Sequence, residues 1–374
     1  MATTTASPSA SSALSSPARS HARVTSRLSP AGVAQISDGP TFAPSRKSRV
    51  LGRLIDQLLT QRHPRANSLI ITVYGDMIAP HGGTVWLGSF IKLAQPLGLN
   101  PRMVRTSVFR LSREKWLVSE QIGRRSYYSL TATGRRRFEH AYRRIYEVPS
   151  DSWNGAWQLV VLPRDGLAPN VREALRKELQ WEGFAAIAPG ILAHPSAQSD
   201  SLVDILQGTG THDKVVVLQA NTLGALAQQP LKDLAEQCWN LAQVAAGYRG
   251  FLTRFRGIAR ALQSASTLDA EQCFVIRAML MHEFRRVQLR DPQLPRQLLP
   301  ADWPGDSARA LCRDIYRLCQ HPTEEHLMRV LETADGPLPP VAPSFYARFG
   351  GLQPPATASP RLAPSDNVRR EELR

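Results

Sequence analysis

The stretch from Leu99 to Leu117, LNPRMVRTSVFRLSREKWL, constrains the fold of this chain more than any other. Asn100 is a favourable N-cap and Pro101 suits the first helical turn, so the spacing predicts a helix that begins here. One face of this helix is apolar and carries, at i, i+4 and i+7, Val104, Val108 and Leu111. The predicted helix is therefore amphipathic.

The opposite face of the same helix is basic. It carries Arg102, Arg105, Thr106 and Arg113, with Arg110 at its flank, and no carboxylate occurs before Glu114. A solvated helix face usually mixes both charges, because i,i+4 pairs of opposite sign stabilise it. Guanidinium and hydroxyl groups hold phosphates and contact base edges in DNA-binding proteins. The face is predicted to bind DNA, and the alternative is a basic surface helix without that role.

The whole chain shares this excess of positive charge. Its 46 Lys plus Arg residues outnumber 31 Asp plus Glu, which gives a net charge of +15. Such a charge fits a polyanionic partner, most often nucleic acid, although a basic protein without one is the alternative. With 374 residues, of which 43% are hydrophobic, the chain suits two or three domains with real cores. No apolar run is long enough to span a membrane.

The cysteines indicate a reducing compartment. The four of them form no C-x-x-C pair, and no histidine lies beside them at zinc-like spacing. We therefore expect reduced thiols in a cytoplasmic protein. They are Cys238, Cys273, Cys312 and Cys319.

Both ends of the chain are predicted to be disordered. Residues 1–47 are rich in Ser, Ala, Thr and Pro with scattered Arg, a composition that buries too little apolar surface to fold. We expect a basic arm that adds loose phosphate contacts, with an organelle transit peptide as the alternative. Residues 336–374 are rich in Pro, Ala and Ser and are predicted to form a disordered tail.

Residues 48–147 contain three further predicted helices. Val50–Leu59 has apolar residues at helical spacing, and Ser68–Ile78 is ambiguous between a buried helix and a strand, with its length favouring a helix. Val85–Leu97 is predicted to be a helix that ends at Gly98, two residues before the basic helix. Helix, short turn and helix is the arrangement that presents a second helix to a DNA major groove.

A β-hairpin is predicted directly after the basic helix. Its strands are Leu117–Ile122 and Ser126–Thr131, its tip carries Gly123, Arg124 and Arg125, and a basic helix, Gly134–Tyr146, follows. A helix-turn-helix followed by a hairpin is a winged helix, so residues 48–147 are predicted to form a winged-helix DNA-binding domain. The predicted DNA contacts are Arg102, Arg105, Thr106, Arg110 and Arg113 in the major groove, and Arg124, Arg125 and Tyr127 on the hairpin.

Residues 148–222 are predicted to alternate strands and helices. The elements are a strand at Trp157–Leu162, a helix marked by Val171, Leu175 and Leu179, strands at Phe184–Ile187 and Ile191–Ala193, a helix near Asp200–Leu206 and a strand at Lys214–Gln219. This βαββαβ order is ferredoxin-like.

Residues 223–335 are predicted to be mainly helical, which makes the chain an α+β protein of three domains. We expect one long helix at Leu231–Phe255 and another at Cys273–Leu289. The Pro-punctuated segment DPQLPRQLLPADWPG should then wrap back over helical surface with Trp303 as an anchor. The aromatic residues of the first helix suit a core, with a ligand box as the alternative.

Several longer segments carry a family resemblance. VRTSVFRLSREKWLVSEQIGRRSYYSLTATG, then SWNGAWQLVVLP and VREALRKELQWEGFAAIAPGILAHP, and above all MLMHEFRRVQLRDPQLPRQLLPADWPG, resemble the PaaX-type repressors of phenylacetate catabolism. The resemblance covers roughly residues 48–335. One departure is Glu114-Lys115 before Trp116, where the family tends to place a glycine.

The resemblance implies a homodimeric cytoplasmic repressor of phenylacetate degradation genes. Its central domain would be similar to the CRISPR-associated Cas2 nuclease, and its partner would be a double-stranded DNA operator. The implied effector is phenylacetyl-CoA, with another aryl-acyl-CoA as the alternative, and no cofactor is expected. A basic cluster and aromatic walls suit such a ligand, so the candidate effector residues are Tyr248, His282, Arg285 and Arg286. A structural, hydrogen-bonded role is the alternative for His282.

Two other function classes stay open. A metal-dependent nuclease would use Asp165 after the first strand of the ferredoxin-like domain, but no second acidic cluster supports a metal. A constitutive nucleic-acid-binding module would show no response to a ligand. We expect a regulator without catalytic residues or a metal site.

Overall fold

The structure is a computed structural model that describes residues 48–61, 64–147, 153–195, 199–222 and 228–352. The predicted basic arm and the chain beyond residue 352 lie outside the described residues. Within the described ranges, no helix combines the length and the apolar character that crossing a membrane requires.

The first part of the described chain combines helices with a small antiparallel sheet. Its elements are α1 (Arg49–Gln61), α2 (Ala66–Val73), β1 (Thr84–Trp86), α3 (Leu87–Ala94), α4 (Pro101–Arg113), β2 (Leu117–Ile122), β3 (Arg125–Leu130) and α5 (Ala132–Tyr146). The strand order is β1-β3-β2, which confirms the predicted hairpin. The helix predicted from Val85 begins instead at Leu87, because Val85 and Trp86 pair with β3.

Helix α2 confirms the helical interpretation of Ser68–Ile78. It continues without a break into a π-helical turn at Tyr74–Ile78 and a 3₁₀ turn at Ala79–His81. Buried π-turns of this kind are rare and often mark functional positions. This turn carries Asp76, a carboxylate that is only 2% exposed.

The central part confirms the predicted βαββαβ order. Its elements are β4 (Ala156–Val161), α6 (Pro169–Trp181), β5 (Ala185–Ala188), β6 (Ile191–His194), α7 (Ser199–Gly208) and β7 (Val216–Asn221). The four strands form an antiparallel sheet in the order β5-β6-β4-β7. One side of this sheet buries a separate small core with side chains of α6 and α7, among them Val160, Leu175 and Leu202.

The C-terminal part is helical, as predicted. It contains α8 (Gln228–Cys238), α9 (Leu241–Gln263), α10 (Ala270–Gln288) and α11 (Gly305–Val330). The prediction of a single helix at Leu231–Phe255 is wrong, because the helix is interrupted at Trp239 and Asn240. The Asn240 side chain accepts a hydrogen bond from the Gln243 amide and caps α9, while Trp239 Nε1 donates to the Gly183 carbonyl at 2.7 Å.

Helix α10 lies at the centre of this part. Nearly all of its residues are buried, and α2, α9 and α11 pack against it. One hydrophobic cluster contains side chains of α1 to α5 and of α8 to α11, so the first and last parts of the described chain share a core. Trp303 is buried 5.9 Å from the Tyr248 ring, which confirms it as an anchor.

The tail predicted to be disordered from residue 336 is partly ordered. A short β8 (Glu332–Thr333) pairs with β9 (Gly336–Pro337), and Pro343–Gly350 forms a 3₁₀ segment. That segment buries Phe345, Arg348 and Phe349 in the shared core. The average composition of the tail, dominated by Pro and Ala, hides the three aromatic residues of PSFYARFG that supply apolar area.

Candidate functional site

Helix α4 presents a basic face to solvent. Val104, Val108 and Leu111 are at most 1% exposed, and Asn100 accepts a hydrogen bond from the Met103 amide at 2.9 Å, both as predicted. The residues of α4 that were predicted to contact DNA are all exposed: Arg102, Arg105, Thr106, Arg110 and Arg113. Among the described residues, none of these four guanidinium groups takes part in an ion pair or side-chain hydrogen bond, so their positive charge remains available to a polyanion.

Phe109 belongs to this face and was missed by the sequence analysis. Its side chain is 65% exposed, although α4 has an apolar side that could bury it. Its position four residues after Arg105 and four before Arg113 is the signal that places it on the basic face. Aromatic side chains on such a face can contact thymine methyl groups in a major groove.

The hairpin brings only part of the predicted DNA contacts to its surface. Arg124 is exposed at the tip, next to Gly123 with a φ of 59°. Arg125 is engaged, since it donates to Glu332 Oε2 at 2.9 Å and its guanidinium lies 4.1 Å from the Trp86 ring. Tyr127 is 6% exposed and pairs across the sheet with Trp86, so it cannot reach DNA from this position.

The departure from the family pattern before Trp116 has a backbone consequence. Lys115 adopts a φ of 60°, in the left-handed region that a glycine tolerates better than any other residue. The Trp116 amide then donates to the Leu111 carbonyl, which ends α4 and turns the chain into β2. The fold is kept at the cost of some local strain.

Two of the candidate effector residues have structural partners. Tyr248 is buried and donates to Asp291 Oδ2 at 2.6 Å and to Gln288 Oε1 at 2.9 Å. His282 is 2% exposed and lies 3.3 Å from Thr72 Oγ1. Burial, and then the neighbouring Arg285 cation, lowers the pKa of His282 to about 4, so this side chain is neutral near pH 7.

The other two candidate residues line two different cavities. Arg285 donates to Ser68 Oγ at 3.1 Å and lines a cavity of about 470 Å³. Arg286 forms an ion pair with Glu283 at 3.1 Å and lines another cavity of about 360 Å³. Tyr248 borders a third cavity, so the four predicted effector residues do not form a single site.

A buried charge cluster around Asp76 connects the first and last parts of the chain. Asp76 accepts from Arg277 Nε at 2.8 Å, Arg348 Nη1 at 3.1 Å, and the hydroxyls of Tyr146 and Tyr316 at 2.5 and 3.0 Å. Its partners lie 70 to 272 residues away along the chain, which is why local sequence patterns did not find it. We call this group the Asp76 cluster.

The extension of the Asp76 cluster reaches the surface of α11. Arg277 also donates to Glu324 Oε1 at 2.7 Å, and the other oxygen of Glu324 contacts His81 Nε2 at 2.8 Å. Burial raises the pKa of Glu324, but the Arg277 cation and the hydrogen bond with His81 lower it by more than burial raises it. The pKa is therefore below its usual value, and the carboxyl stays ionised. The cluster therefore joins α2, α5, α10, α11 and the Pro343–Gly350 segment.

Asp165 is the residue that the nuclease alternative requires. Asp165 lies exposed in the loop after β4. Across the ranges that the structure describes, no group of three His, Cys, Asp or Glu side chains could hold a metal ion. The four cysteines are free thiols, and three of them are buried.

Three family models match successive ranges of the chain. The "PaaX-like protein" family model matches residues 65–134, the "PaaX protein central Cas2-like domain" model matches 150–232, and the "PaaX-like protein C-terminal domain" model matches 239–329. The chain is thus an α+β protein with a Cas2-like centre, and it belongs to the PaaX family.

One curated relative matches most of the chain. The Escherichia coli (strain K12) protein named Transcriptional repressor PaaX is 38% identical over 286 residues, which cover 76% of this chain and 90% of that protein. Among solved structures, the uncharacterized protein Rv0674 from Mycobacterium tuberculosis is 25% identical and covers 63% of this chain and 88% of its own, with a TM-score of 0.39.

Proposed function

We propose that this protein is a transcriptional repressor that binds operator DNA through a winged helix formed by residues 48–147. The observation that carries the proposal is the exposed arginine face of α4, whose cations have no ionic partner among the described residues. The order of α3, α4 and the β2–β3 hairpin, with β1 completing the sheet, supports a winged helix. The repressor named among the relatives supports the regulatory role.

In this proposal α4 enters the major groove and the hairpin touches the adjacent backbone or minor groove. Arg124 is the hairpin contact, because it is exposed at the tip. Arg125 would add a contact only by leaving Glu332, and Tyr127 is withdrawn from the proposed set because the sheet buries it. No catalytic residue and no cofactor belongs to this proposal.

We propose a homodimer that pairs through the central sheet. Among the strands that the structure describes, β7 is an edge of that sheet and bonds only to β4. Three successive apolar side chains on it are 42% to 56% exposed: Val216, Val217 and Leu218. An exposed apolar edge strand is a template for pairing with another chain, and two copies would bring two copies of α4 to two half-sites.

We propose that phenylacetyl-CoA, or a related aryl-acyl-CoA, releases the repressor from its operator. The family resemblance and the cavity of about 470 Å³ between the first and last parts of the chain support this proposal. Near-complete release requires the ligand to favour the released state by about 5 kcal/mol. A constitutive DNA-binding module would bind the operator equally well with and without the ligand.

The α4 assignment is tested by removing one exposed arginine from each of two helices. Arg105→Ala should weaken operator binding by about 1–3 kcal/mol, because a base-contacting guanidinium is lost. Arg176→Ala removes the same charge from the exposed side of α6 and should leave the affinity within about twofold. Fluorescence anisotropy at fixed salt measures both, and equal effects would refute the proposed role of α4.

The nuclease alternative has its own assay. Incubation of the protein with DNA or RNA in the presence of magnesium should give no hydrolysis in the proposed regulator. Hydrolysis that is abolished by Asp165→Ala would favour the nuclease instead.

A further inference from the structure

A mostly apolar cavity lies where the first and last parts of the chain meet. Its volume of about 470 Å³ falls within the range of small-molecule sites. Its walls come from α2 with its π-turn, α5, α10 and the segment at Pro343–Gly350. The side chains that make it apolar are Phe138, Tyr142, Tyr146, Met281 and Phe345. Aromatic walls of this kind suit a ligand with an aromatic ring.

Arg285 supplies this cavity with a cation that no carboxylate neutralises. Its guanidinium donates to Ser68, but within the described ranges no Asp or Glu oxygen lies within 4.0 Å of it. Its Nε atom is buried and has no hydrogen-bond partner among the described residues. Burial also lowers the pKa of Arg285, the response of a cation held away from water. An anionic group would complete this site, because a buried charge without a partner is costly.

The other charges around the cavity are nearly balanced. Arg348 is paired with Asp76 in the inner wall. The exposed rim carries charges of both signs, from Arg135, Arg143, Glu139 and Glu147. Arg285 is therefore the charge that distinguishes this cavity from a neutral apolar one.

The two alternative cavities are less suited to an aromatic anion. In the one beside Arg286, the carboxylate of Glu283 already binds both Arg286 and Arg254, at 3.1 and 2.9 Å. Arg290 adds a further cation there, but Trp239 is the one aromatic side chain among its described lining residues. In the cavity beside Tyr248, the carboxylates of Asp291 and Asp306 are balanced by Arg296 and Arg309. Neither cavity joins four aromatic side chains to a cation, as the cavity at Arg285 does.

We infer that the cavity at Arg285 is the regulatory ligand site, and that it takes an aromatic ring joined to an anionic group. This inference rests on the proposed function and assigns a binding site to the proposed effector. The free aromatic acid and its coenzyme A thioester share this chemistry, through a carboxylate or through phosphates.

The position of the cavity explains how such a ligand acts on DNA binding. Leu130, the last residue of β3, lines it, and α5 begins two residues later. Met281 and Phe345 line it from the opposite, C-terminal part. A ligand there touches both parts at once, so unequal affinity for two arrangements of these parts shifts the equilibrium between them.

The test is calorimetric titration of the full chain with phenylacetate, coenzyme A and phenylacetyl-CoA in turn. The matched variants are Arg285→Met and Arg286→Met, neighbouring residues that line different cavities. We expect about tenfold or greater loss of affinity in Arg285→Met and less than about twofold in Arg286→Met, since the first removes a desolvated charge partner. Comparison of the acid with the thioester shows which one supplies the anion.

A second variant tests the site independently, in case Arg285→Met misfolds. Ser344→Trp places a large side chain at an exposed position of the rim and should block the cavity without touching the Asp76 cluster. Normal ligand affinity in both Arg285→Met and Ser344→Trp, or a loss confined to Arg286→Met, would overturn the site assignment and leave the repressor proposal standing. Absence of binding to all three probes by the unmodified chain would reject the effector itself, while operator binding is measured separately.

Discussion

Phe109 is the residue whose exposure is hardest to explain by folding alone. Its side chain leaves 65% of its surface in water at the centre of the α4 arginine face. Phe109→Ala should weaken operator binding by about 1–2 kcal/mol through lost apolar contact and leave the free energy of unfolding unchanged. Anisotropy on operator and on unrelated DNA, with a urea titration, measures both quantities. Equal loss on the two DNAs would contradict a base contact.

His282 and His194 make the stability of the fold depend on pH. Burial lowers the pKa of each to about 4, whereas the unfolded value is near 6.5. Between these two pKa values the histidine is protonated in the unfolded state and neutral in the folded state. The free energy of unfolding therefore falls as the pH decreases from about 6.5 to 4. The loss is roughly 3 kcal/mol for each histidine.

Urea unfolding at pH 7.5 and pH 5 measures this dependence. His282→Gln should lower stability at pH 7.5 through lost packing but should show a smaller decrease on acidification than the unmodified chain. An unchanged decrease in the variant would show that His282 does not titrate as proposed.

Local sequence patterns correctly predicted those helices and strands that depend on interactions between nearby residues. The apolar stripe and N-cap of α4, the hairpin and the βαββαβ order all follow from spacing and turn residues within about 20 positions. The hydrogen bond of Arg125 with Glu332 could not be predicted, because the two residues are 207 positions apart in the sequence. The break before α9 depends likewise on Gly183, which accepts a hydrogen bond from Trp239.

The Asp76 cluster fixes the π-turn of α2 against α10, α11 and the Pro343–Gly350 segment. Asp76→Asn should cost about 3–5 kcal/mol, because Arg277 and Arg348 would lose the carboxylate they share in the core. Asp204→Asn, on the exposed side of α7, is the matched control and should change stability by less than about 0.5 kcal/mol. Chemical denaturation measures both, and a loss below about 1 kcal/mol in Asp76→Asn would contradict a structural role for the cluster.

At the scale of the whole molecule, the proposed dimer depends on the edge strand β7. Leu218→Lys should dissociate it, since a charge on an exposed edge opposes strand pairing. Val203→Lys places the same charge on α7, where the parent side chain is 50% exposed, and should leave the dimer intact. Sedimentation equilibrium decides between them, and a stable dimer in Leu218→Lys would move the interface elsewhere.

The proposed switch joins the arginine face of α4 to a ligand cavity that the first and last parts of the chain form together. In this switch, an aryl-acyl ligand controls DNA binding. The decisive measurement is fluorescence anisotropy of the protein on its own upstream intergenic DNA, titrated with phenylacetyl-CoA, coenzyme A and phenylacetate. We predict tight binding that the thioester alone reverses, and binding that none of the three compounds alters would contradict it.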